Sequence, residues 1–414
     1  MSPWRRIPLL PSLISAAVLV AGAFAVSPIR DVATGGDVAE AYLVRPLGYV
    51  AMSPVSEVLD TITLLSARQH VALLIGVLVL FALWRTLRWR TGATVLKHAL
   101  AAAVLFAVIV VVYAAGAIMP RPMAALGADN SNILMIDFHA HTAASHDGYQ
   151  SVEQLREWHR RAGFDVAYVT DHAAVTAAEQ GLANNPNPVG NGVTLLQSIE
   201  TSWSGEHVSI PGAERIYKGL LTASLTDVDT QGLRLASLVP GREPIVIWNH
   251  PRDLTRLKPA IGPSTDGVRA IEVVNGAPKD IDVVRRERRQ IVLMAQGGDV
   301  ALTSGTDNHG FGHASPGWTL TLIPGWRGAT PDALAFEIDQ MLREGKFAAT
   351  RVVERRTADP GENALLLAMT VITVPYRMLT TLSTDERVSW LVWIWAIYAV
   401  HRFARRRDPG QGAA

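Results

Sequence analysis

Residues 134–148 read LMIDFHAHTAASHDG, an apolar strand that runs straight into a cluster of metal-binding side-chain types. Side chains of a strand alternate between its faces, so Asp137, His139 and His141 share one face while Ile136, Phe138 and Ala140 share the other. One face can pack in a core and the other can bind metal. A His-x-His pair at a strand end sets its two backbones about 6–7 Å apart, close enough for both imidazoles to reach one ion. By itself such a pair is weak evidence, because two half-exposed strand histidines give the same pattern.

The sequence around this strand repeats its logic. Between about residues 131 and 355, short apolar runs alternate with charged, helix-patterned segments, as in a soluble α/β domain. Ser151, with Gln154 three residues on, predicts a helix start; Leu155 and Trp158 mark its apolar side and Gly163 its end. The strand DVAYVT follows and delivers Asp171 and His172. VTLLQSI leads to Glu200, EPIVIWN to His250, and VALTSGT to Asp307 with His309 behind it, while VRAIEVVNG reads as another strand carrying Glu272 to the same end. Metal-ligand residue types thus keep falling at the carboxyl ends of strands, the mouth at which parallel β/α barrels gather catalytic groups. Scattered core histidines would show no such bias. The segment DIDVVRRERRQIVLMAQ, residues 280–296, predicts a helix whose arginine run is a solvated face.

Further out, the chain is suited to a membrane. Arg5 and Arg6 precede an uncharged run over residues 7–26, long enough for a bilayer core that needs roughly 20 residues. Ala23, Phe24 and Ala25 also fit a signal-cleavage site, but the length of the run and the spans that follow favour an uncleaved anchor. Residues 27–61 read as a short outer loop. Residues 64–84 and 99–119 predict two more spans, and Arg85, Arg88, Arg90 and Lys97 between them mark the cytoplasmic side. Three crossings place the following domain outside the cytoplasm. The chain then divides into a membrane region (1–130), a soluble α/β domain (131–356) and a C-terminal membrane segment (357–414). In the last of these, residues 364–382, interrupted by Pro375 and Arg377, suit either a distorted span or an interfacial helix. Residues 388–400, followed by His401, Arg402, Arg405, Arg406 and Arg407, predict one crossing with a basic cytoplasmic end. The expected product is a multi-pass protein of a bacterial-type inner or plasma membrane. A net charge of +1 argues against nucleic-acid binding, and the absence of cysteine removes disulfides, thiolate nucleophiles and zinc-thiolate sites.

Taken in order, IDFHAHTAASHDG, YVTDH, SIE followed by EHVSIPG, WNHP, AIEVVNG and TSGTDNHG resemble the successive motifs of the PHP (polymerase and histidinol phosphatase) superfamily of metal-dependent phosphoesterases. The resemblance covers roughly residues 134–317. It implies a distorted seven-stranded β/α barrel flanked by transmembrane helices, with two or three divalent ions at its mouth. Imidazole with carboxylate suits zinc, manganese or iron better than calcium. By the same resemblance His139, His141, Glu200 and Asp307 hold a first ion, and Glu200 bridges to a second held also by His207 and His250. A third lies near His172, His309 and a residue closing the first motif. Family members usually show one aspartate or histidine there, whereas this chain offers both His146 and Asp147; the carboxylate of Asp147 would better offset cationic charge. Asp171 is expected to orient a metal-bound imidazole. Arg252 is either a phosphate clamp or an ordinary surface arginine. His159 and His313 lie off the motifs, in packing or surface roles.

The implied function is hydrolysis of a phosphate ester by a metal-activated water at the membrane, with Glu200 and Asp307 central. The bilayer and a phosphoester substrate are the expected partners. The same centre would also serve cleavage of a carboxyl ester, amide or carbamate. A non-catalytic metal-binding sensor is the third reading, and the full ligand set counts against it. The loops expected to select the substrate, residues 173–192 and 213–241, carry no recognisable motif.

Overall fold

Alternating side chains dictate the central strand, and the architecture follows from how its two faces are covered. The structure, a computed structural model, describes residues 8–87, 95–172, 174–218, 228, 231–262 and 267–406. Arg5, Arg6, Arg88, Arg90, Ala173 and Arg407 lie outside the described residues, as does much of the 213–241 loop. In chain order the elements are α1 (Leu9–Ala23), β1 (Ile29–Asp31), β2 (Ala41–Val44), α2 (Leu47–Ala51), α3 (Ser53–Thr63), α4 (Ala67–Leu87), α5 (Val95–Ile118), β3 (Ala125–Ala128) and β4 (Ile133–Ala140). The middle of the chain adds α6 (Val152–Ala162), β5 (Val166–Val169), α7 (Thr176–Ala183), β6 (Thr194–Trp203), β7 (Glu206–Pro211), β8 (Val246–Asn249), β9 (Val268–Asn275), α8 (Pro278–Gly298) and β10 (Ala301–Gly305). The last elements are β11 (Gly317–Leu322), α9 (Pro331–Glu344), β12 (Thr350–Arg355), α10 (Ala364–Ala368), α11 (Thr370–Thr381) and α12 (Thr384–Arg406).

Ten strands form one sheet in the order β1-β12-β11-β4-β5-β6-β7-β8-β9-β10. The expectation of a seven-stranded barrel is therefore corrected to a ten-stranded, curled half-barrel. The arc from β4 to β10 is extended at its β4 edge by the antiparallel strands β11, β12 and β1. Curling brings the two ends of that arc together. Just beyond β10, Asp307 N donates to His139 O at 2.8 Å, and His141 N donates to Asn308 O at 3.0 Å.

Neighbours are parallel from β4 to β6 and from β8 to β10, but β7 is antiparallel to both β6 and β8. Its hairpin closes through Ser204 and Gly205, with φ of 53° and 75°, the paired positive values that match strand twist in a two-residue turn. Ser202 pairs with His207 and Glu200 with Ser209, so Glu200 and His207 share one face. On β4, Ile136 and Phe138 enter a core with Val166, Tyr168 and Ile338, leaving His139 and His141 to the opposite face. α6 forms as its sequence dictates: Ser151 Oγ accepts from Gln154 N at 3.2 Å, and Gly163 ends the helix at φ 86°.

The arginine run of α8 is not simply a solvated face. Arg288 pairs with buried Glu354 at 2.7 Å, and Arg285 donates to Thr357 Oγ1 at 2.6 Å. β12 supplies the inward partner, a contact between segments that periodicity cannot register.

Two helices among the described residues, α4 and α5, are long and apolar enough to cross a membrane. α1 has 15 residues, about 22 Å of helix against a bilayer core of about 30 Å. The 364–382 segment forms two short helices, α10 and α11, with Pro375 inside the second. Both apolar helices are fastened to the part of the chain that carries the sheet: Arg68 on α4 pairs with Asp282 on α8 at 3.1 Å, and Gly312 N donates to Ala117 O on α5 at 2.8 Å.

Candidate metal centre

Side chains at or just beyond the ends of β4, β8 and β10, with Glu200 from within β6 and His207 from the start of β7, converge at one mouth. His139 Nε2 and His141 Nε2 lie 3.0 Å apart. Each faces the same two carboxylate oxygens, Glu200 Oε2 at 3.1 and 3.2 Å and Asp307 Oδ1 at 3.5 and 3.4 Å. A tetrahedral ion with bonds of about 2.0–2.1 Å needs donors about 3.3–3.4 Å apart, so the donor group of His139, His141 and Glu200 fits one ion, and Asp307 faces the same two imidazoles. The other oxygen of Glu200, Oε1, lies 2.9 Å from His207 Nδ1 and 3.7 Å from His250 Nε2. A further group forms around Asp147 Oδ2, 3.2 Å from His309 Nε2 and 3.7 Å from His172 Nε2. His172 Nε2 also lies 3.4 Å from Glu200 Oε2. Glu200 thus faces all three groups, and the donors are imidazole nitrogens and carboxylate oxygens, a set fitting zinc, manganese or iron.

The backbone is strained where it presents two of these donors. His250 and Asp307 have φ of 25° and 47°, conformations that cost a residue with a Cβ on the order of 1–3 kcal/mol. The surroundings hold both in place. His250 N donates to Glu272 Oε1 at 3.2 Å, and Asp307 N is tied to β4 as described. Glu272 Oε2 lies 2.9 Å from His139 Nδ1; a proton there leaves Nε2 as a lone pair aimed at the centre. Gly305 makes room for this contact, since a Cβ at that position would sit 2.3 Å from Glu272 Oε2 and 2.5 Å from His139 Cβ.

Charge at the centre is unbalanced. Burial raises the cost of ionising Glu200 and Asp307, yet His139 and His141 hold both well below the usual carboxylate range. Burial likewise opposes protonation of the two imidazoles, but Glu200 and Asp307 override it, lifting His141 to about 9 and His139 well above its ordinary value. His172 goes the other way, pushed down to about 4 because burial outweighs the pull of Glu200. The carboxylates therefore draw positive charge onto buried histidines, a demand that a divalent ion also meets.

The remaining site residues fall in varied places. His146 has a side chain 75% exposed; it stands 3.7 Å from Asp147 Oδ2 and belongs to none of the donor groups. Arg252 is at the rim, its Nη2 paired with Asp280 Oδ1 at 3.1 Å. Asp171 does not orient an imidazole, contrary to expectation: its oxygens accept from Thr142 N and Thr142 Oγ1, both at 2.6 Å, and so close the loop after β4. His159 is buried in a packing role, with Nε2 2.7 Å from Asp137 Oδ2, and Asp137 in turn accepts from Thr306 N at 2.9 Å. His313 is half-buried and pushed down to about 4 by burial, with Arg121 and Arg161 adding to the shift.

Asp280 is the donor that the sequence reading passed over. It forms a further donor group with His250 and Asp307, and its Oδ2 is buried without a hydrogen-bond partner. The available signal was its place in the first turn of α8, directly after β9, at the mouth. Two asparagines brace the carboxylates: Asn249 Nδ2 donates to Glu200 Oε1 at 3.2 Å and Asn275 Nδ2 to Glu272 Oε1 at 2.8 Å.

No family model and no curated relative matches the chain. Among solved structures it is similar to a two-domain protein from Bacteroides vulgatus containing a predicted PHP-like metal-dependent phosphoesterase, at 15% identity, covering 54% of this chain and 66% of that one, with a TM-score of 0.34. It is also similar to PsfC from Pseudomonas syringae (16% identity, 58% and 97% covered, TM-score 0.32). An amidohydrolase from Chromobacterium violaceum gives 16% identity, 49% and 96% covered, and a TM-score of 0.27. The chain spans just under two thirds of the first of these proteins. Likeness at this level does not reach the bond cleaved or the substrate.

Proposed function

We propose that this chain is a membrane-bound, metal-dependent phosphoesterase of PHP type. The observation that carries the reading is the donor group of His139, His141 and Glu200, with Asp307 facing both imidazoles and the second oxygen of Glu200 turned to His207 and His250. Asp147, His172 and His309 would complete a third position. Divalent ions held there would lower the pKa of a water to about 7 and offset charge on the phosphoryl oxygens. The chain's own residues set the geometry. Glu272 fixes the imidazole of His139, Asn249 holds Glu200, and the strained turns at His250 and Asp307 aim their side chains inward. Arg252 stands beside His250 and would offer two donors to phosphate oxygens on leaving Asp280. In the reaction, the water oxygen bonds to phosphorus and the ester P–O bond breaks. One proton passes overall from water to the leaving alkoxide.

The test is metal analysis of the purified full chain with a panel of phosphomonoesters, phosphodiesters and carboxyl esters. Chelator-sensitive phosphoester turnover, restored by zinc, manganese or iron, is the expected result; turnover of carboxyl esters alone, or of nothing, would overturn it. We also place the hydrolase domain outside the cytoplasm, because Arg85 ends α4 and Lys97 opens α5 on the side away from it. Alkaline phosphatase fused after Ala128 should be active, and a fluorescent protein that folds only in the cytoplasm should be dark. The reverse pattern would invert the topology.

A further inference from the structure

A cavity of about 630 Å³ connects the metal centre with the apolar helices. Asp147, Asp307 and His309 line it at one end; Ala67 of α4 and Tyr113 and Ala117 of α5 line it at the other. Such a volume lies in the range of about 300–1,000 Å³ typical of small-molecule sites and exceeds what a phosphate group fills. A site built for a water-soluble ester needs no wall from membrane helices. Here the first turn of α4 and the last turn of α5 are both docked on the hydrolase domain, through Arg68–Asp282 and Gly312–Ala117, so the cavity opens where the helices leave the domain.

The chemistry is graded along its length. Carboxylates and imidazoles stand at the inner end, and Lys279 on the wall supplies a cation for an anionic headgroup. His70 and Tyr113, 3.0 Å apart, form a polar pair between α4 and α5. Beyond them the helix surfaces are apolar and exposed, Val71 at 57% and Val111 at 66%. Beside the mouth, Phe311 and Tyr149 are exposed with ring centroids 4.9 Å apart, the residue type that settles at a bilayer interface.

We infer that the substrate is a phosphoester lipid drawn from the bilayer. Its phosphate enters the metal centre while its acyl chain leaves between the outer ends of α4 and α5. This inference rests on the phosphoesterase reading for the bond cleaved, but the lipid site stands on the cavity alone.

The full chain is reconstituted in phosphatidylcholine vesicles holding phosphatidic acid with a photoreactive acyl chain. Labelling of α4 or α5 should be competed by unlabelled phosphatidic acid and not by added phosphatidylcholine. Ala67→Trp and, separately, Ala117→Trp should each lower the competed labelling. Each should also cut the turnover of phosphatidic acid relative to p-nitrophenyl phosphate by about tenfold or more, the scale of a steric misfit in an apolar pocket. Labelling that is not competed, or a ratio unchanged in both variants, would overturn the lipid site even if p-nitrophenyl phosphate is hydrolysed. Competed labelling with neither ester hydrolysed would uphold the site and sink the phosphoesterase reading instead.

Discussion

Two buried clusters of charge in this protein are neutralised in different ways. The first joins Glu57 and Asp60 of α3 and Glu386 of α12 to Arg45, Arg121 and Arg355. Asp60 alone meets Arg121 at 2.8 Å and Arg355 at 2.7 Å, and Arg45 meets Glu386 at 2.8 Å. Every acid here lies 3.7 Å or less from a guanidinium, so the cluster finds its partners within the chain. The second gathers Glu200, Glu272 and Asp307, and among the described residues no lysine or arginine pairs with any of them; their partners are histidines. A buried carboxylate without a cation is costly. The first cluster thus reads as a joint between α3, α12 and the sheet, the second as a socket.

The joint should be the more sensitive to neutralisation. Asp60→Asn leaves two buried guanidiniums short of their shared partner, and breaking such a pair costs about 3–5 kcal/mol. A thermal melt of the full chain in detergent reads this, and a loss under about 1 kcal/mol would show that the cluster is not a joint. At the socket, Glu200→Gln should keep the fold but lose metal, and turnover should fall about 10²–10³-fold, on the order of 2.7–4 kcal/mol. Metal content measured with the rate decides it: normal turnover with normal metal would remove the bridging role.

The two clusters also differ in how far local sequence announces them. His139, His141, His250 and Asp307 each stand at or just beyond the end of a strand, and Glu200 within one, whose apolar pattern is visible within a few residues, and Glu272 shows as a strand residue facing the mouth. The joint is assembled from α3, the segment after α5, β12 and α12, and nothing in any one of them signals the others. The same reason hid β1, drawn from a stretch that reads as an outer loop, and the inward pairing of Arg288 with Glu354. Strand pairing across long stretches of chain leaves no periodic trace, so the three added strands and the reversal at β7 were not legible. Asp171 misled for a different reason: metal-bound imidazoles usually call for an orienting carboxylate, but both oxygens of Asp171 are taken by Thr142.

A finer test within the joint concerns protons. The Tyr49 hydroxyl has one proton and two acid neighbours, Glu57 Oε1 at 2.9 Å and Asp60 Oδ2 at 2.8 Å. If it donates to Asp60, Glu57 must bring a proton of its own. Burial lifts Glu57 to about 8, with Arg355 opposing and Glu386 reinforcing the shift. The unfolded glutamate ionises near 4.5 while the folded one keeps its proton, so stability falls as pH rises between those values. Glu57→Gln is permanently neutral and can donate an amide N–H to Tyr49. It should therefore match the native chain near pH 4 and be the more stable by about 3 kcal/mol at pH 7. Equal destabilisation at both pH values would mean that Glu57 works as an ion, like its neighbour.

The smallest effect is expected at the rim of the socket, where His146 and Asp147 are adjacent. In an extended chain, neighbours point in opposite directions and only one can face an ion. The loop here turns: Gly148 N lies 3.4 Å from Ser145 O, and Ser145 Oγ donates to Asp147 Oδ1 at 2.8 Å. That bond fixes one oxygen of Asp147 and leaves Oδ2 facing His309 and His172. His146, three-quarters exposed, has only the 3.7 Å approach to the same oxygen. Asp147→Ala should therefore remove one ion and most turnover. His146→Ala should keep every ion and change turnover by no more than about threefold, in line with the small cost of most exposed substitutions. Metal stoichiometry of the two variants side by side is the measurement. If the histidine variant loses an ion and the aspartate variant retains all of them, then His146 swings inward when metal binds, and the socket is completed by a residue that the metal itself recruits.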